Sequence, residues 1–97
     1  MPPCARINDL CTGHGPCYPG RPAVAGSPDV FVNGRNVHRV GDAWAAHGCP
    51  KNPTHGSILA AGSSTVFANG LPIGRIGDPV ACGSSVATGS GDVFIGG

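Results

Sequence analysis

Apolar and polar positions along the chain come in short bursts, and the bursts repeat. Val30-Phe31-Val32 runs into Asn33-Gly34, Val66-Phe67-Ala68 into Asn69-Gly70, and Val93-Phe94-Ile95 into Gly96-Gly97. Each burst follows Gly-Ser and two further residues: Gly26-Ser27-Pro28-Asp29, Gly62-Ser63-Ser64-Thr65 and Gly89-Ser90-Gly91-Asp92. All three phenylalanines of the chain take the same place in this pattern. Successive side chains of a strand face opposite ways, so each phenylalanine must lie on one face and its aliphatic neighbours on the other. Asn-Gly between two apolar runs predicts a two-residue type I′ turn, because both residues tolerate positive φ.

The returning strands repeat as well. Arg35-Asn36-Val37-His38-Arg39-Val40-Gly41-Asp42 follows the first turn and Leu71-Pro72-Ile73-Gly74-Arg75-Ile76-Gly77-Asp78 the second. Both end in Arg-aliphatic-Gly-Asp. The third burst has no returning strand after it, but Ala5-Arg6-Ile7-Asn8-Asp9 carries the same ending near the N-terminus, with Asn in place of Gly. The chain is thus permuted relative to its own repeat. This predicts that Asp92–Ile95 pairs with Cys4–Ile7, closing three hairpins into a ring and removing the exposed strand edges that invite aggregation. An open meander with frayed ends is the alternative. The predicted fold is all-β, three pseudo-symmetric β-hairpin repeats forming one domain over residues 1–97.

Composition sharpens this reading. Seventeen glycines and ten prolines in 97 residues are a level met in disordered chains, but here the glycines fall at matching points of a repeat. They also exclude long helices. The longest stretch free of both is Cys4–Thr12, shorter than the ~11–12 residues of a mean helix. A chain of this length buries only about 60–65% of its unfolded surface, so its core is thin and a cross-link would help. The net charge of +1, with 11% charged residues and no basic cluster, argues against a nucleic-acid binder. No apolar run approaches the ~18 residues of a membrane span. The start Met1-Pro2-Pro3-Cys4-Ala5-Arg6 has no signal-peptide core. The expectation is a protein made in the cytoplasm that leaves by a route other than a cleaved signal.

Candidate chemistry lies in the loops after the Arg-x-Gly/Asn-Asp tetrads. His14 lies five residues after Asp9, His47 five after Asp42, and Cys82 four after Asp78. Under three-fold symmetry these side chains start from equivalent places and can converge on one axis. His55, in the longest loop (Gly48–Gly56), can reach back to the same point. Three imidazoles and one thiolate make a tetrahedral set suited to one structural zinc, closed because a catalytic zinc keeps a position for water. Such a site supplies about 10–16 kcal/mol of apparent folding free energy, against a typical total stability of about 5–15 kcal/mol.

Other polar groups read as structural. His38 falls within a strand and has Gly74 as its counterpart, so it is expected on the surface. Asp9, Asp42 and Asp78 are expected to cap turn N–H groups, and Arg6, Arg39 and Arg75 to pair with them across units. Cys4, Cys11, Cys17 and Cys49 contain no CxxC pair and are expected to be free thiols in a reducing cytoplasm. Cys11, Cys17 and Cys49 lie close enough to the histidines to compete as sulfur ligands. A small zinc metallohydrolase would need an open metal position and a nearby base. Asp9 or Asp42 could serve, but the chain contains no glutamate at all.

The unit from Gly62 to Asp78 resembles the proline-alanine-alanine-arginine (PAAR) repeat proteins, and the likeness extends over nearly the whole chain. The name-giving tetrapeptide is degenerate: Pro72-Ile73-Gly74-Arg75 keeps proline and arginine, Asn36-Val37-His38-Arg39 only the arginine. The resemblance implies a conical domain with a blunt triangular base and a pointed apex holding zinc through three His and one Cys. These carry over onto His14, His47, His55 and Cys82, one zinc per chain. It further implies that the base caps the trimeric β-helical spike of a bacterial type VI secretion system, the valine-glycine-repeat protein, one monomer per trimer. The related central spike of contractile phage tails is the alternative partner. The assembly is driven through a target membrane, and some family members carry effector domains as extensions. This chain reads as a bare tip that can also recruit effectors, without catalytic residues, and no individual residue is assigned to the spike contact.

Overall fold

The computed structural model describes the backbone of residues 1–13, 20–49 and 52–97, and their side chains except those of 47–49 and 52–56. Among the described residues all regular structure is strand, in three antiparallel pairs: β1 (Phe31–Val32) with β2 (Arg35–Asn36), β3 (Ala43–Cys49) with β4 (Asn52–Ile58), and β5 (Phe67–Ala68) with β6 (Leu71–Pro72). β1–β2 and β5–β6 are the hairpins expected at Asn-Gly. Asn33 and Gly34 have φ of 56° and 76°, Asn69 and Gly70 of 54° and 78°, the positive values that a type I′ turn demands. Phe31 pairs with Asn36, and Phe67 with Pro72.

The third hairpin is built from the two ends of the chain. Phe94 bridges Pro3 as Phe67 bridges Pro72. The Cys4 N–H donates to the Val93 carbonyl at 2.9 Å, as Val37 does to Val30 at 3.0 Å and Ile73 to Val66 at 3.1 Å. The ring therefore closes, with the pairing centred on Pro2–Cys4 rather than running from Cys4 to Ile7. At the junction of the units three backbone bonds form a cycle: Ala5 N–H to Gly74 C=O at 2.9 Å, Gly74 N–H to His38 C=O at 2.8 Å, and His38 N–H to Ala5 C=O at 3.0 Å. An open meander could not make this cycle, because each unit supplies both a donor and an acceptor to different neighbours.

The repeated glycines have a steric reason. A Cβ on Gly26, Gly62 or Gly89 would meet the carbonyl oxygen of Val37, Ile73 or Cys4 at 2.5, 2.6 and 2.8 Å. Only a residue without a side chain lets the strands approach there. The turn before each aspartate needs a left-handed residue: Asn8, Gly41 and Gly77 have φ of 73°, 90° and 91°. Asn can replace Gly at position 8 because it tolerates that region best after Gly.

Side chains divide as the alternation predicts. Val30, Val32, Val66 and Val93 turn inward onto a cluster of Cys4, Val37, Ala68, Ile73 and Ile95. Phe31, Phe67 and Phe94 turn outward. A second cluster of Ala5, Cys11, Ala23, Trp44, Leu59, Val80 and Val86 forms the next layer. Many of these residues are small, as a thin core requires.

The Arg-x-Gly/Asn-Asp tetrad ties the layers together, with pairing that differs from expectation. Arg6, Arg39 and Arg75 each grip the aspartate of their own tetrad: Nε meets Oδ2 of Asp9, Asp42 and Asp78 at 2.8, 2.9 and 3.0 Å. The same Oδ2 accepts the arginine's backbone N–H at 2.8 Å in all three, so the carboxylate caps the turn as expected. Three residues of turn bring the two side chains together, and a cross-unit partner would be farther away. Only the Arg35–Asp9 pair, at 2.8 Å, crosses between units among the described residues. The arginines still reach the next unit through Nη1, which donates to Asn33 (3.0 Å), Asn69 (3.0 Å) and the Gly96 carbonyl (3.2 Å) in turn.

Candidate functional site

Cys82 leaves the third tetrad through the turn around Val80 and lies half-buried against the second cluster, which includes Trp44 and Leu59. Its backbone N–H donates to Ser57 Oγ at 2.9 Å, which fixes it beside β4. Two residues back along β4 is His55, whose register partner on β3 is His47. What reads in sequence as a long loop is therefore a hairpin with register shifts on both sides of His47. The second shift falls where Gly48 and Pro53 interrupt regular pairing, and the first lies opposite Gly56. The fourth candidate comes from the N-terminal loop. Gly13 N–H donates to Ser84 Oγ at 2.8 Å, and Thr12 Oγ1 lies 3.1 Å from the same atom. Position 14 thus follows directly on a backbone anchored two residues past Cys82.

These contacts tie Thr12 and Gly13 to Ser84, and Cys82 to Ser57 at the end of β4. His14 and the side chains of His47 and His55 lie outside the described residues. Among the described residues alone, no group of three His, Cys, Asp or Glu side chains is placed to hold a metal. The donor chemistry fits zinc: one thiolate and three imidazoles suffice for a tetrahedral shell; Ser57 fastens the backbone of Cys82 and Ser84 that of Gly13.

Cys4, Cys11 and His38 lie in the core. Cys4 and Cys11 are buried and form no disulfide. Burial pushes the Cys4 thiol up to about 11 against the pull of Arg6, so it stays protonated and unreactive at neutral pH. Cys17 and the side chain of Cys49 lie outside the described residues. His38 is not a surface residue. It is fully buried, with Nδ1 2.8 Å from the Ala25 carbonyl and its ring edge-on to Trp44. Asp9 accepts from Arg6, Arg35 and Thr88. Burial works against its charge, but the hydrogen bonds from Arg6 and Thr88 hold the carboxyl below the usual carboxylate range.

Three further side chains were not singled out as a site by sequence reasoning. Phe31, Phe67 and Phe94 are 55%, 53% and 48% exposed, at equivalent places of the three hairpins. Their shared position was legible, but their exposure follows only from which strand face the ring turns outward. Also missed was the third copy of the tetrapeptide, Pro3-Cys4-Ala5-Arg6. Extending the N-terminal match two residues back would have aligned Pro3 with Pro72, and the Pro3–Phe94 bridge makes the equivalence explicit.

A ring of three hairpins, each with an outward phenylalanine at the equivalent place, defines a small structural β-repeat protein. The PAAR motif matches residues 12–88, and the chain belongs to that family, whose members are structural spike tips of contractile injection systems. The two segments that close the ring, Pro2–Arg6 and Asp92–Ile95, lie outside the matched residues. A comparison with curated proteins gave no significant match.

Proposed function

We propose that this domain is the tip of a bacterial type VI secretion spike, one copy seated on the end of the trimeric valine-glycine-repeat protein. The observation that carries this reading is the set Phe31, Phe67 and Phe94. Large aromatic side chains left half-exposed at three equivalent points are costly in water unless they are covered. A true three-fold axis is the partner that covers all three at once with the same pocket. One zinc held by His14, His47, His55 and Cys82 braces the loops that follow the tetrads, adding to the serine and backbone hydrogen bonds between them. The ion's contribution is structural: it fixes four loop positions and leaves no coordination site for water. The domain carries no substrate chemistry in this reading. It is made in the cytoplasm, leaves through the injection apparatus, meets the target membrane in passing, and offers its sides to effectors.

The aromatic face gives a direct test. Replacing any one of Phe31, Phe67 or Phe94 by Asp is expected to weaken binding to the purified spike trimer by more than about 30-fold, the loss of ~2 kcal/mol typical of an aromatic hot spot. The thermal midpoint should hold within a few degrees, because half of each side chain already faces water. Binding measured by biolayer interferometry that stayed within threefold of wild type for all three variants would remove this face from the contact.

A further inference from the structure

His38 occupies the point where the three units meet, yet its two counterparts are Ala5 and Gly74. The three residues share the backbone cycle described above, so their side chains compete for one central space. A Cβ on Gly74 would approach Leu59 Cδ2 to 2.5 Å. Leu59 takes the room at that position, and His38 takes it at its own. The imidazole is sealed from solvent. Nδ1 donates to Ala25 C=O at 2.8 Å in the neutral tautomer, which leaves Nε2 as a bare acceptor with no partner among the described residues. Beside it is Trp44, 4.7 Å between ring centroids, whose indole N–H is also buried and has no partner among the described residues. Indole nitrogen is a donor only. An imidazolium here would replace the pocket's bare acceptor with a second donor beside the indole N–H, and neither would have an acceptor.

We propose that His38 is an acid-sensitive latch at the centre of the ring: the closed core accepts only the neutral imidazole, so protonation drives the domain open. The charged groups facing it are Asp42, Arg39 and Asp9. The two carboxylates favour a cation, but each is already engaged, Asp42 by Arg39 and Asp9 by Arg6 and Arg35, and Arg39 opposes it. Burial is the largest influence and holds His38 below its ordinary 6.5. Above pH 6.5 both folded and unfolded chains therefore keep the ring neutral, and stability is full. Below 6.5 the unfolded chain takes a proton that the folded one refuses. The folding equilibrium then falls by up to tenfold per pH unit until the folded value is reached. This latch rests on the fold and is independent of the spike partner.

Two measurements decide between a latch and an inert core histidine. In the intact protein labelled with ¹⁵N-histidine, the His38 ring should show the Nδ1–H tautomer and remain neutral below pH 6.5 for as long as the domain is folded. Acid loss of metal from other histidines would lower stability too, so the second measurement is a difference. Between pH 6.5 and 5 the thermal midpoint of wild type should fall more steeply than that of His38→Ala, the residue found at the equivalent Ala5. The excess should reach one proton in the unfolding equilibrium. Parallel pH profiles, or a His38 ring that protonates at pH 6.5 or above within the folded domain, would overturn the latch. Should His38→Ala fail to fold, the ring titration of wild type alone decides the matter by the same criterion.

Discussion

Removing zinc with a chelator is expected to unfold this domain or to lower its thermal midpoint by tens of degrees. The reason is the balance of forces. The two apolar clusters are made largely of Ala, Val and Cys, and four of the six strands are two residues long. A domain of this size has a total stability of about 5–15 kcal/mol, and a structural zinc supplies about 10–16 kcal/mol at neutral pH. The purified protein should carry one zinc per chain by elemental analysis. Cys82→Ser should abolish that content and the stability with it. Cys4→Ser should keep the zinc, because Cys4 lies in the cluster under the hairpins, its Sγ directed at the Ala5 carbonyl. Equal melting with and without chelator would defeat the structural role. Zinc lost from the Cys4 variant and kept in the Cys82 variant would show the wrong sulfur had been chosen.

Deleting Asp92–Gly97 should be about as damaging. The segment carries Ile95, which is buried, and Val93, packed on the same cluster. Burial of side chains of this kind contributes about 1.5–3 kcal/mol each. It also accepts the Cys4 N–H on Val93, donates the Ile95 N–H to Pro2 at 2.9 Å, and offers the Gly96 carbonyl to Ser63 Oγ at 2.6 Å. Asp92 holds the tip of the first hairpin through Asn33 Nδ2 at 2.8 Å. Loss of these bonds opens the ring and uncovers Cys4, so a shortened chain should show no cooperative melting transition above room temperature. Phe94→Ala alone should cost little, since that side chain points to solvent. A truncated protein that melted with wild type would mean that the last strand contributes nothing to the core.

Most of the ring was legible because each of its rules is local. Asn-Gly demands positive φ, the Gly-Ser glycines admit a carbonyl, and Val-Phe-Val must split between two faces. A repeat written three times exposes such rules at once. What sequence did not convey depends on how units differ. His38 looked like a surface residue because Gly74 stands in its place, yet the exchange is steric: Leu59 fills the space in one unit and the imidazole in another. Repeat comparison treats the two positions as equivalent, and the packing does not. The arginines were expected to bridge units because symmetry suggests it, while a three-residue turn makes the in-unit carboxylate the nearer partner. The long loop carrying His55 proved to be β4, hidden by Gly and Pro that weaken any strand signal. Its register opposite His47 could not be read from spacing alone.

The mass of the complex between this protein and its cognate spike trimer, taken by native mass spectrometry, tests the central claim most directly. A single chain with three equivalent hairpins presents three equivalent patches, which one three-fold axis can engage together. Contact through half-exposed aromatics depends on burial more than on charge, so the complex should also survive moderate salt. The expected result is one copy of this chain on three copies of the spike protein, and a monomer when alone. A three-to-three complex, or no binding to the spike, would contradict the account even with the ring intact.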